Sequence, residues 1–409
     1  MSSAPPQTPI VDIHTHIYPP SYISLLKSRD EIPYIRQFPP AKEHRLVILP
    51  AEDTPSTSRG RPIGAEYYDI AEKIAFMDNH SITTSVISLA NPWLDWLPPS
   101  TALQTALEIN TEINDLCTLY PSRLYFFGTL PLSAPPQSIL ESITHLKTLP
   151  HCRGIILGTT GLGSGLDDPS LLPIFHALAN AKLPIFLHPH YGLPTSVFGP
   201  RGNDYGHVLP LALGFPMETT IAVTRMILSS VFSLVPTLQV LLAHSGGTLP
   251  FLAGRIESCI LHDAHLKSEG KLQDINGGQR KTIWEILKTN IWLDAVVYGD
   301  VGVKGAVGAS GIDRVMFGTD APFFPPLDEE EEVEGEGGKK WLSVSMNMDA
   351  IRSACGAGSE EEKAVLGRNA IRLFGLDLPA SASTSDHVDS HVRERGSDGA
   401  GERDSNLAP

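Results

Sequence analysis

The sequence is poor in cysteine, and its four cysteines lie far apart. Cys117, Cys152, Cys259 and Cys355 form no C-x-x-C pair. A zinc knot needs paired cysteines and a disulfide framework needs a cysteine-dense short chain, so neither class fits. Isolated cysteines are typical of small buried hydrophobic residues in a reducing compartment. The sequence therefore predicts a cytoplasmic protein.

Signals for secretion, membrane insertion and nucleic-acid binding are also missing. The N-terminus M-S-S-A-P-P-Q-T-P has neither the basic region nor the apolar region of a secretion signal. No run of about 18 uncharged apolar residues indicates a membrane span. No basic stripe with interleaved aromatic residues indicates a nucleic-acid site. We therefore expect neither a membrane nor a nucleic acid among the partners.

The formal net charge of -15 is concentrated in two segments. Residues 328–340 hold seven acidic residues and two lysines, and residues 379–409 hold six acidic residues and three arginines. Their net charges of -5 and -3 together account for -8 of the net charge of -15. Such compositions cannot bury a core, so we predict a mobile acidic loop and a disordered tail. With residues 1–8 as a flexible N-terminus, one folded domain remains at 9–378.

Short apolar runs alternate with helical patterns throughout that domain. This alternation favours parallel strands with right-handed crossovers, and eight such units predict an α/β fold of the (β/α)8 TIM-barrel type. A long insertion at about 21–62 follows the first strand, and helices at 343–355 and 360–374 close the barrel. The predicted strands are Ile10–His16, Thr84–Ala90, Leu124–Leu130, Gly154–Leu157, Pro184–Pro189, Leu238–His244, Ile291–Val297 and Arg314–Phe317.

The alternative architecture is an open doubly wound sheet. That fold needs a glycine-rich dinucleotide turn after the first strand, where this chain has H-T-H-I-Y-P-P. A glycine-rich loop, G-T-T-G-L-G-S-G-L-D-D, does follow the fourth predicted strand. It lacks the G-K-[ST] ending of a phosphate-binding loop, and its glycines do not open directly into a helix. We expect no organic cofactor.

Histidines and a carboxylate stand at the predicted carboxyl ends of four strands. His14 and His16 end the first strand, and they are followed along the chain by His188, His244 and Asp320 at the ends of the fifth, sixth and eighth. Barrel enzymes place their chemistry at this end. Residues i and i+2 of a strand share a face, so both imidazoles of the H-x-H pair can reach one ion. His14, His16, His188 and Asp320 form a mixed nitrogen and oxygen ligand set that suits zinc, with manganese as the alternative.

A second metal ion is not expected. The fourth predicted strand reads R-G-I-I-L-G-T-T and has no lysine that carbamylation would turn into a bridging ligand. A lone histidine at a strand end is more often structural. The prediction of one metal site therefore rests on the joint pattern from four strands.

These strand-end motifs resemble the amidohydrolase superfamily. The matching motifs are H-x-H, H-P, H-S-G-G and G-T-D, after the first, fifth, sixth and eighth strands. Two further stretches, G-F-P-x-E-T-T at 214–220 and H-S-G-G-T-L-P-F-L-A-G-R-I at 244–256, resemble its nonoxidative decarboxylase branch, which includes the aminocarboxymuconate-semialdehyde decarboxylases. Within the branch the chain is most similar to the isoorotate decarboxylases, over about residues 9 to 375. One departure is Ala321, which stands where a histidine is expected.

The resemblance implies a metal-dependent carboxy-lyase acting on a planar cyclic carboxylate. The first candidate is uracil-5-carboxylate, converted to uracil and carbon dioxide in pyrimidine salvage. The resemblance implies the same four metal ligands, with Asp320 and His244 as catalytic residues. A homodimer or larger homo-oligomer is also implied. The implied substrate contacts are Arg61, Asn91, Phe215, His244 and Phe323.

The residue types suit those roles, although each has a plainer interpretation. The Arg61 fork matches a carboxylate, but its sequence context alone favours a solvated loop charge. Asn91 offers a donor and an acceptor to a ring edge, or simply starts a turn before Pro92. Phe323 and Phe215 can stack on a planar ring or pack in a core. Glu218 and Arg225 are predicted to pair with each other.

Three other functions stay open from sequence. One is decarboxylation of a hydroxybenzoate-type aromatic acid. Another is hydrolysis of a cyclic amide or lactone at a single metal, because a bound metal ion also activates water. The third is a catalytically inactive barrel that serves as a binding module, and the intact strand-end ligands argue against it.

Overall fold

Parallel strands in sequential order form the central sheet of the protein, which is described here from a computed structural model. The structure describes residues 8–57, 59–161, 165–272, 280–326, 332–335 and 338–379. The strands are β1 (Val11–Ile17), β2 (Tyr34–Gln37), β3 (His44–Val47), β4 (Arg61–Pro62), β5 (Thr84–Leu89), β6 (Leu124–Gly128), β7 (Cys152–Gly158), β8 (Ile185–His188), β9 (Val240–Leu242), β10 (Ile291–Asp294), β11 (Val315–Met316), β12 (Glu332–Gly335) and β13 (Gly338–Trp341). The central sheet has eight strands in the order β1-β5-β6-β7-β8-β9-β10-β11.

The sheet closes on itself between β11 and β1. The Ile13 amide donates to the Phe317 carbonyl at 3.2 Å, and Thr15 pairs with Ala321 in a parallel bridge. Every residue of β1, β5 and β6 is buried, as expected for strands covered on both faces. The prediction of a (β/α)8 barrel is confirmed, and the open doubly wound alternative is wrong.

Helices follow the strands and cover the outside of the barrel. Their first positions favour proline, as in Pro99 of α3 and Pro136 of α4, because the proline nitrogen lacks a hydrogen that would go unpaired there. The helices are α1 (Pro20–Lys27), α2 (Ile70–Asn79), α3 (Pro99–Thr118), α4 (Pro136–Leu146), α5 (Leu172–Ala181), α6 (Phe215–Leu228), α7 (Val231–Leu234), α8 (Leu249–His262), α9 (Ala264–Ser268), α10 (Ile283–Thr289), α11 (Asp300–Ser310), α12 (Leu342–Cys355), α13 (Glu360–Lys363) and α14 (Asn369–Phe374).

Two of the helices are continuous with π-helical turns. The helix after the fifth barrel strand begins at Phe215, and a π-helical turn at Pro210–Gly214 precedes it. The predicted helix 360–374 consists of α13, a π-helical turn at Ala364–Arg368, and α14.

The π-helical turn before α6 and α6 itself form one helical segment, Pro210–Leu228. This segment is long and apolar enough to cross a membrane by length and composition alone, and 44% of it is buried within the protein. Buried helices of soluble proteins pass the same test.

The long insertion after β1 has a structure that its composition did not predict. It contains α1 and an antiparallel sheet in the order β2-β3-β4. Tyr34, Ile35, Leu46 and Val47 bury their side chains from β2 and β3. This small sheet holds β4, and with it Arg61, beside the end of the barrel that carries the predicted site.

The described part of the predicted acidic loop is a hairpin. Strand β12 pairs with β13 in antiparallel register, Glu332 opposite Trp341 and Gly335 opposite Gly338. The Trp341 amide donates to His80 Nε2 at 2.9 Å, which fastens the end of the hairpin to α2. Residues 327–331, 336 and 337 lie outside the described part of the chain. The predicted flexible N-terminus and disordered tail do too, except Thr8 and Pro379.

Candidate active site

Four barrel strands bring the predicted histidines and the aspartate to one point. One ligand atom from each of His14, His188, His244 and Asp320 lies within 4.8 Å of the others. His16 joins them, since its Nε2 atom is 3.4 Å from Asp320 Oδ1. The ring centroid of His16 is 5.0 Å from that of His188. The structure thus places all five strand-end residues around a single small volume.

Asp320 lies at the centre of this group. Its Oδ1 atom is 3.2 Å from His14 Nε2, and its Oδ2 atom is 3.5 Å from His244 Nε2. The backbone of Asp320 has a φ of 59°, which is unusual for a residue other than glycine. Its amide donates to the His14 carbonyl at 2.7 Å, so the unusual conformation is fixed against β1.

The second ring nitrogen of each of three histidines is held by an acceptor. His14 Nδ1 lies 2.6 Å from Asp294 Oδ2, and His188 Nδ1 lies 2.8 Å from the Pro189 carbonyl. His16 Nδ1 lies 3.0 Å from the Ser88 hydroxyl, which donates to the Thr15 carbonyl at 3.3 Å and is free to accept from the imidazole. In the neutral form of each ring, Nδ1 therefore carries the hydrogen and Nε2 presents a lone pair.

Those lone pairs have nothing to bind among the described residues. The Nε2 atoms of His14, His16 and His188 are buried without a hydrogen-bond partner. A buried polar atom without a partner is costly, so several converging on one point indicate a group that satisfies them together. A divalent metal ion is such a group, because imidazole Nε2 atoms and a carboxylate oxygen are ordinary zinc and manganese ligands.

The electrostatics of the cluster also fit a cation. Burial lowers the pKa of His16 to about 4 and that of His188 well below the usual range, so both imidazoles stay neutral. Burial would lower the pKa of His14 too, but the neighbouring carboxylates of Asp320 and Asp294 outweigh it and raise the value to about 10, so that without a metal ion His14 takes a proton on Nε2 and carries the positive charge itself. Burial opposes ionisation of Asp320, yet His14 keeps its pKa well below the usual range. The two carboxylates therefore call for a positive charge between the rings.

The geometry supplies one more candidate ligand than the sequence named. His244 belongs to the tightest group of possible ligands, whereas the predicted set contains His16 instead. His244 differs from the others in two respects: its side chain is 16% exposed, and its Nδ1 atom has no partner among the described residues. The prediction of His14, His16, His188 and Asp320 as ligands is retained, because His244 lacks the fixed ring orientation of the other histidines.

Asp294 is a site residue that the sequence reasoning missed. It ends β10, and its carboxylate accepts from His14 Nδ1 and from the amides of His244 at 3.0 Å and Ser245 at 2.7 Å. One buried carboxylate thus orients a metal ligand and the chain that carries His244. The available signal was a carboxylate inside the seventh predicted strand, Ile291–Val297, where I-W-L-D interrupts the apolar run; the observed strand ends at this residue.

Replacing Asp294 with asparagine should weaken metal binding. Oδ2 accepts from His14 Nδ1 and the His244 amide, and Oδ1 accepts from the amides of Ser245 and Val296. An amide has one acceptor oxygen, so two of these donors lose their partner, and with them goes the support of His14 or of the turn that carries His244. We expect the metal dissociation constant to rise about 10- to 100-fold, measured by competition with a chelating dye. The matched control is Asp313→Asn, an exposed carboxylate just before β11. Unchanged metal affinity in Asp294→Asn would contradict the orienting role.

Arg61 and Phe323 line one side of the histidine cluster. The Phe323 ring centroid is 5.4 Å from that of His16, and the Arg61 guanidinium carbon is 4.7 Å from the centre of the Phe323 ring. Arg61 Nη2 donates to the Asn91 carbonyl at 2.7 Å and to the Tyr18 hydroxyl. Arg61 is therefore held by the protein beside the site and is not a solvated loop charge.

Asn91 lies beside Arg61, and its amide is fixed. Its Nδ2 group donates to the His190 carbonyl, and its Oδ1 atom is buried without a partner among the described residues. Phe215 lies at the start of α6, close to Gly192, where an added Cβ would come within 3.3 Å of its ring. The described ring contacts of the histidines include Phe323 but not Phe215.

Glu218 and Arg225 do not form the predicted pair. Glu218 accepts from the Thr159 hydroxyl at 2.5 Å and from the amides of His190 at 3.2 Å and Gly192 at 2.8 Å. Arg225 instead pairs with Asp167 at 2.6 Å. The correction has a physical reason, since three donors around the buried Glu218 carboxylate satisfy it without a cation. Glu218 thereby fixes the chain that follows His188.

Comparisons with known proteins agree with this geometry. The solved apo structure of isoorotate decarboxylase (IDCase) from Metarhizium anisopliae is 56% identical, with a TM-score of 0.84, and the match covers 90% of this chain and 97% of that one. The 2-amino-3-carboxymuconate-6-semialdehyde decarboxylase of Dictyostelium discoideum is 28% identical over 370 residues, which is 90% of this chain and 92% of that protein.

A third comparison supports the fold alone. The 5-carboxyvanillate decarboxylase of Novosphingobium aromaticivorans, solved with bound manganese, is 22% identical with a TM-score of 0.67, over 90% of this chain and 97% of that one.

The family is shown by a match over most of the chain: residues 11–376 match the family model described as amidohydrolase. The chain therefore belongs to the amidohydrolase family, in the branch of the nonoxidative decarboxylases.

Proposed function

We propose that this protein is a metal-dependent nonoxidative decarboxylase that converts uracil-5-carboxylate to uracil and carbon dioxide. The observation that carries the proposal is the convergence of buried, unpartnered imidazole nitrogens on Asp320. The 56% identity to an isoorotate decarboxylase supports this choice of ring. We place the reaction in pyrimidine salvage, because its product is uracil.

We further propose zinc as the metal, with manganese as the alternative. His14, His16, His188 and Asp320 would hold it. Three imidazole nitrogens favour zinc, while the carboxylate and the manganese in a related fold keep manganese open. When bound, the ion neutralises negative charge on the carboxylate and the neighbouring ring oxygen of the substrate.

Asp320, once it has received a proton by way of His244, would deliver the proton that replaces carbon dioxide. The proton adds to the ring carbon that bears the carboxylate, which becomes tetrahedral and loses conjugation with the departing group. The bond to the carboxylate carbon then breaks, its electron pair returns to the ring, and carbon dioxide leaves. No redox cofactor is needed because a proton replaces carbon dioxide. His244, partly exposed and 3.5 Å from Asp320, carries the proton from solvent.

Arg61 binds the substrate through a negatively charged oxygen. Its guanidinium is already held by Tyr18 and Asn91, so little conformational freedom is lost when the substrate arrives. We expect Arg61→Met to raise KM for uracil-5-carboxylate about 10- to 100-fold, because a charge-assisted hydrogen bond to the substrate is lost. The change in kcat should be smaller. Steady-state kinetics measure both constants. Arg36→Met is the control, since Arg36 pairs with the exposed Asp30; an unchanged KM in Arg61→Met would contradict the assignment.

Incubation of the metal-loaded protein with uracil-5-carboxylate and several hydroxybenzoates tests the function. Loss of the ultraviolet absorption of the substrate, with uracil identified by chromatography and carbon dioxide released, is the expected result. Carbon dioxide from a hydroxybenzoate alone would favour the aromatic-acid decarboxylase. Ring opening of a cyclic amide or lactone without carbon dioxide would favour the metal-dependent hydrolase.

We propose that the protein is a cytoplasmic homodimer or larger homo-oligomer. Its outer helices expose apolar side chains: Phe251 of α8 is 90% exposed, Leu261 of the same helix 53% and Ile221 of α6 46%. An apolar groove of about 430 Å³ between these helices is lined in part by Leu228 and Leu252. Exposed apolar surface of this kind is typical of protein interfaces. Light scattering after size-exclusion chromatography measures the assembly, and a monomer at micromolar concentration would contradict it.

A further inference from the structure

Three of the four proposed metal ligands lie at the barrel seam, on both of its sides. Strand β1 provides His14 and His16, and the segment after β11 provides Asp320. Strand β11 itself has only two residues, so its ladder ends before Asp320. Beyond it, the backbone bonds across the seam run from the amides of Thr319 and Asp320 to the His14 carbonyl, and from the His16 amide to the Ala321 carbonyl. The position of Asp320 relative to the histidines therefore depends on what else holds this seam.

Two further residues of β1 hold the seam: Thr15, which alternates with the histidines and faces α2 on the outer face of the barrel, and Asp12, near the start of the strand. The Thr15 hydroxyl donates to the Ala321 carbonyl at 3.0 Å. The Asp12 carboxylate accepts from the Thr319 amide at 3.0 Å and from the Thr319 hydroxyl at 2.8 Å. Asp320 is thus anchored through the residue before it and the residue after it.

Lys73 reaches this outer face from α2. It is only 6% exposed, and its ammonium donates to the Thr15 hydroxyl oxygen. A hydroxyl has one hydrogen, so an ammonium donating to the oxygen directs the Thr15 hydrogen to the Ala321 carbonyl. The ammonium also lies 4.8 Å from the centre of the Phe76 ring. Burial lowers the pKa of Lys73 to about 8 against the opposing effect of the Asp12 carboxylate.

We propose that Lys73 is a positioning residue for Asp320, acting through Thr15 and the Ala321 carbonyl across the barrel seam. The proposal rests on the proposed function for the role of Asp320, but not for the geometry. A buried ammonium is expensive, and an apolar side chain of similar length would fill the same space between α2 and β1. We therefore attribute the buried Lys73 ammonium to its hydrogen bond with Thr15. That bond helps to fix the seam, and the seam sets the distance between Asp320 and the histidines.

A double-mutant cycle tests this proposal. The variants are Lys73→Met, Thr15→Val and the two combined, all in the full chain. We expect each single change to lower kcat for uracil-5-carboxylate about tenfold and to raise the dissociation constant for Mn²⁺ about tenfold, with KM within twofold of the original protein. Electron paramagnetic resonance of free Mn²⁺ gives the second constant without any turnover. Because both residues act through one chain of bonds, the combined variant should fall no further than either single one.

A matched control separates positioning from general destabilisation. Ile139→Ala removes a fully buried side chain from α4, away from the seam, and lowers the free energy of unfolding. It should leave kcat and Mn²⁺ affinity unchanged. Additive effects in the cycle, unchanged constants in both single variants, or equal losses in Ile139→Ala would overturn the proposal. If the original protein does not decarboxylate uracil-5-carboxylate, the proposed function fails, whereas the Mn²⁺ affinities still decide the role of Lys73.

Discussion

Asp320→Asn should lose kcat on the order of 10³-fold, as is typical when a proton-transferring group is removed. An amide of the same shape cannot give up a proton to the ring carbon. The variant should still fold and keep part of its metal, since His14, His16 and His188 retain their own anchors on Asp294, Ser88 and the Pro189 carbonyl.

Three measurements on the same preparation separate catalysis from metal loss. They are product formation by chromatography, metal content by atomic emission, and the binding of uracil-5-carboxylate by calorimetry. Asp349→Asn is the matched control, because Asp349 forms an exposed pair with Arg352 and lies outside the site. Wild-type turnover in Asp320→Asn with normal metal content would refute the proton-delivery role.

The sequence predicts this site well because of a property of parallel barrels. All strands point the same way, so residues at their carboxyl ends meet even when they are 306 positions apart, as His14 and Asp320 are. Only the strand pattern and the strand-end residues are needed, and both are local features. The barrel was predictable for the same reason, since the alternation of strand and helix is read from short windows.

The predictions that failed concern contacts that no local pattern encodes. The pairing of Glu218 depends on where the loops after β7 and β8 fold, and those loops bring backbone amides where the sequence suggested Arg225. The three-stranded sheet in the insertion is built from short strands in a proline-rich segment with little periodicity. Asp294 is a subtler case, because its role requires knowing that β10 lies beside β9 and near β1.

The role of His244, as a metal ligand or as a proton carrier, is hard to assign from sequence because its side chain lies on a turn after β9. Its backbone φ is 53° and that of the next residue, Ser245, is 52°, so the chain turns sharply at the end of β9. Asp294 accepts both of their amides and so fixes this turn. A strand pattern cannot show whether a side chain on such a turn points to the metal or lies beside it. The geometry places it next to Asp320, which suits a proton carrier better than an anchored ligand.

Removing the metal should abolish activity and destabilise the protein. Ligands that bind only the folded state stabilise it by mass action, about 4 kcal/mol at a thousandfold excess over the dissociation constant, which corresponds for a domain of this size to a fall in Tm of roughly 5 °C on removal. Without the ion, the unpartnered Nε2 atoms of His14, His16 and His188 stay buried. Dialysis against dipicolinate, followed by calorimetry and activity assays, measures both effects.

Reconstitution then identifies the metal and tests its ligands. Zn²⁺ is expected to restore Tm and kcat, and recovery with Mn²⁺ alone would correct the choice of metal. His16→Ala should lose most of the metal-dependent rise in Tm, because one of the proposed imidazole ligands is gone, whereas His262→Ala, an exposed histidine on α8, should keep it. Full activity after exhaustive chelation, or an equal metal-dependent rise in His16→Ala, would contradict the metal site. Either result would mean that a bound metal ion does not explain why three buried imidazoles converge on Asp320.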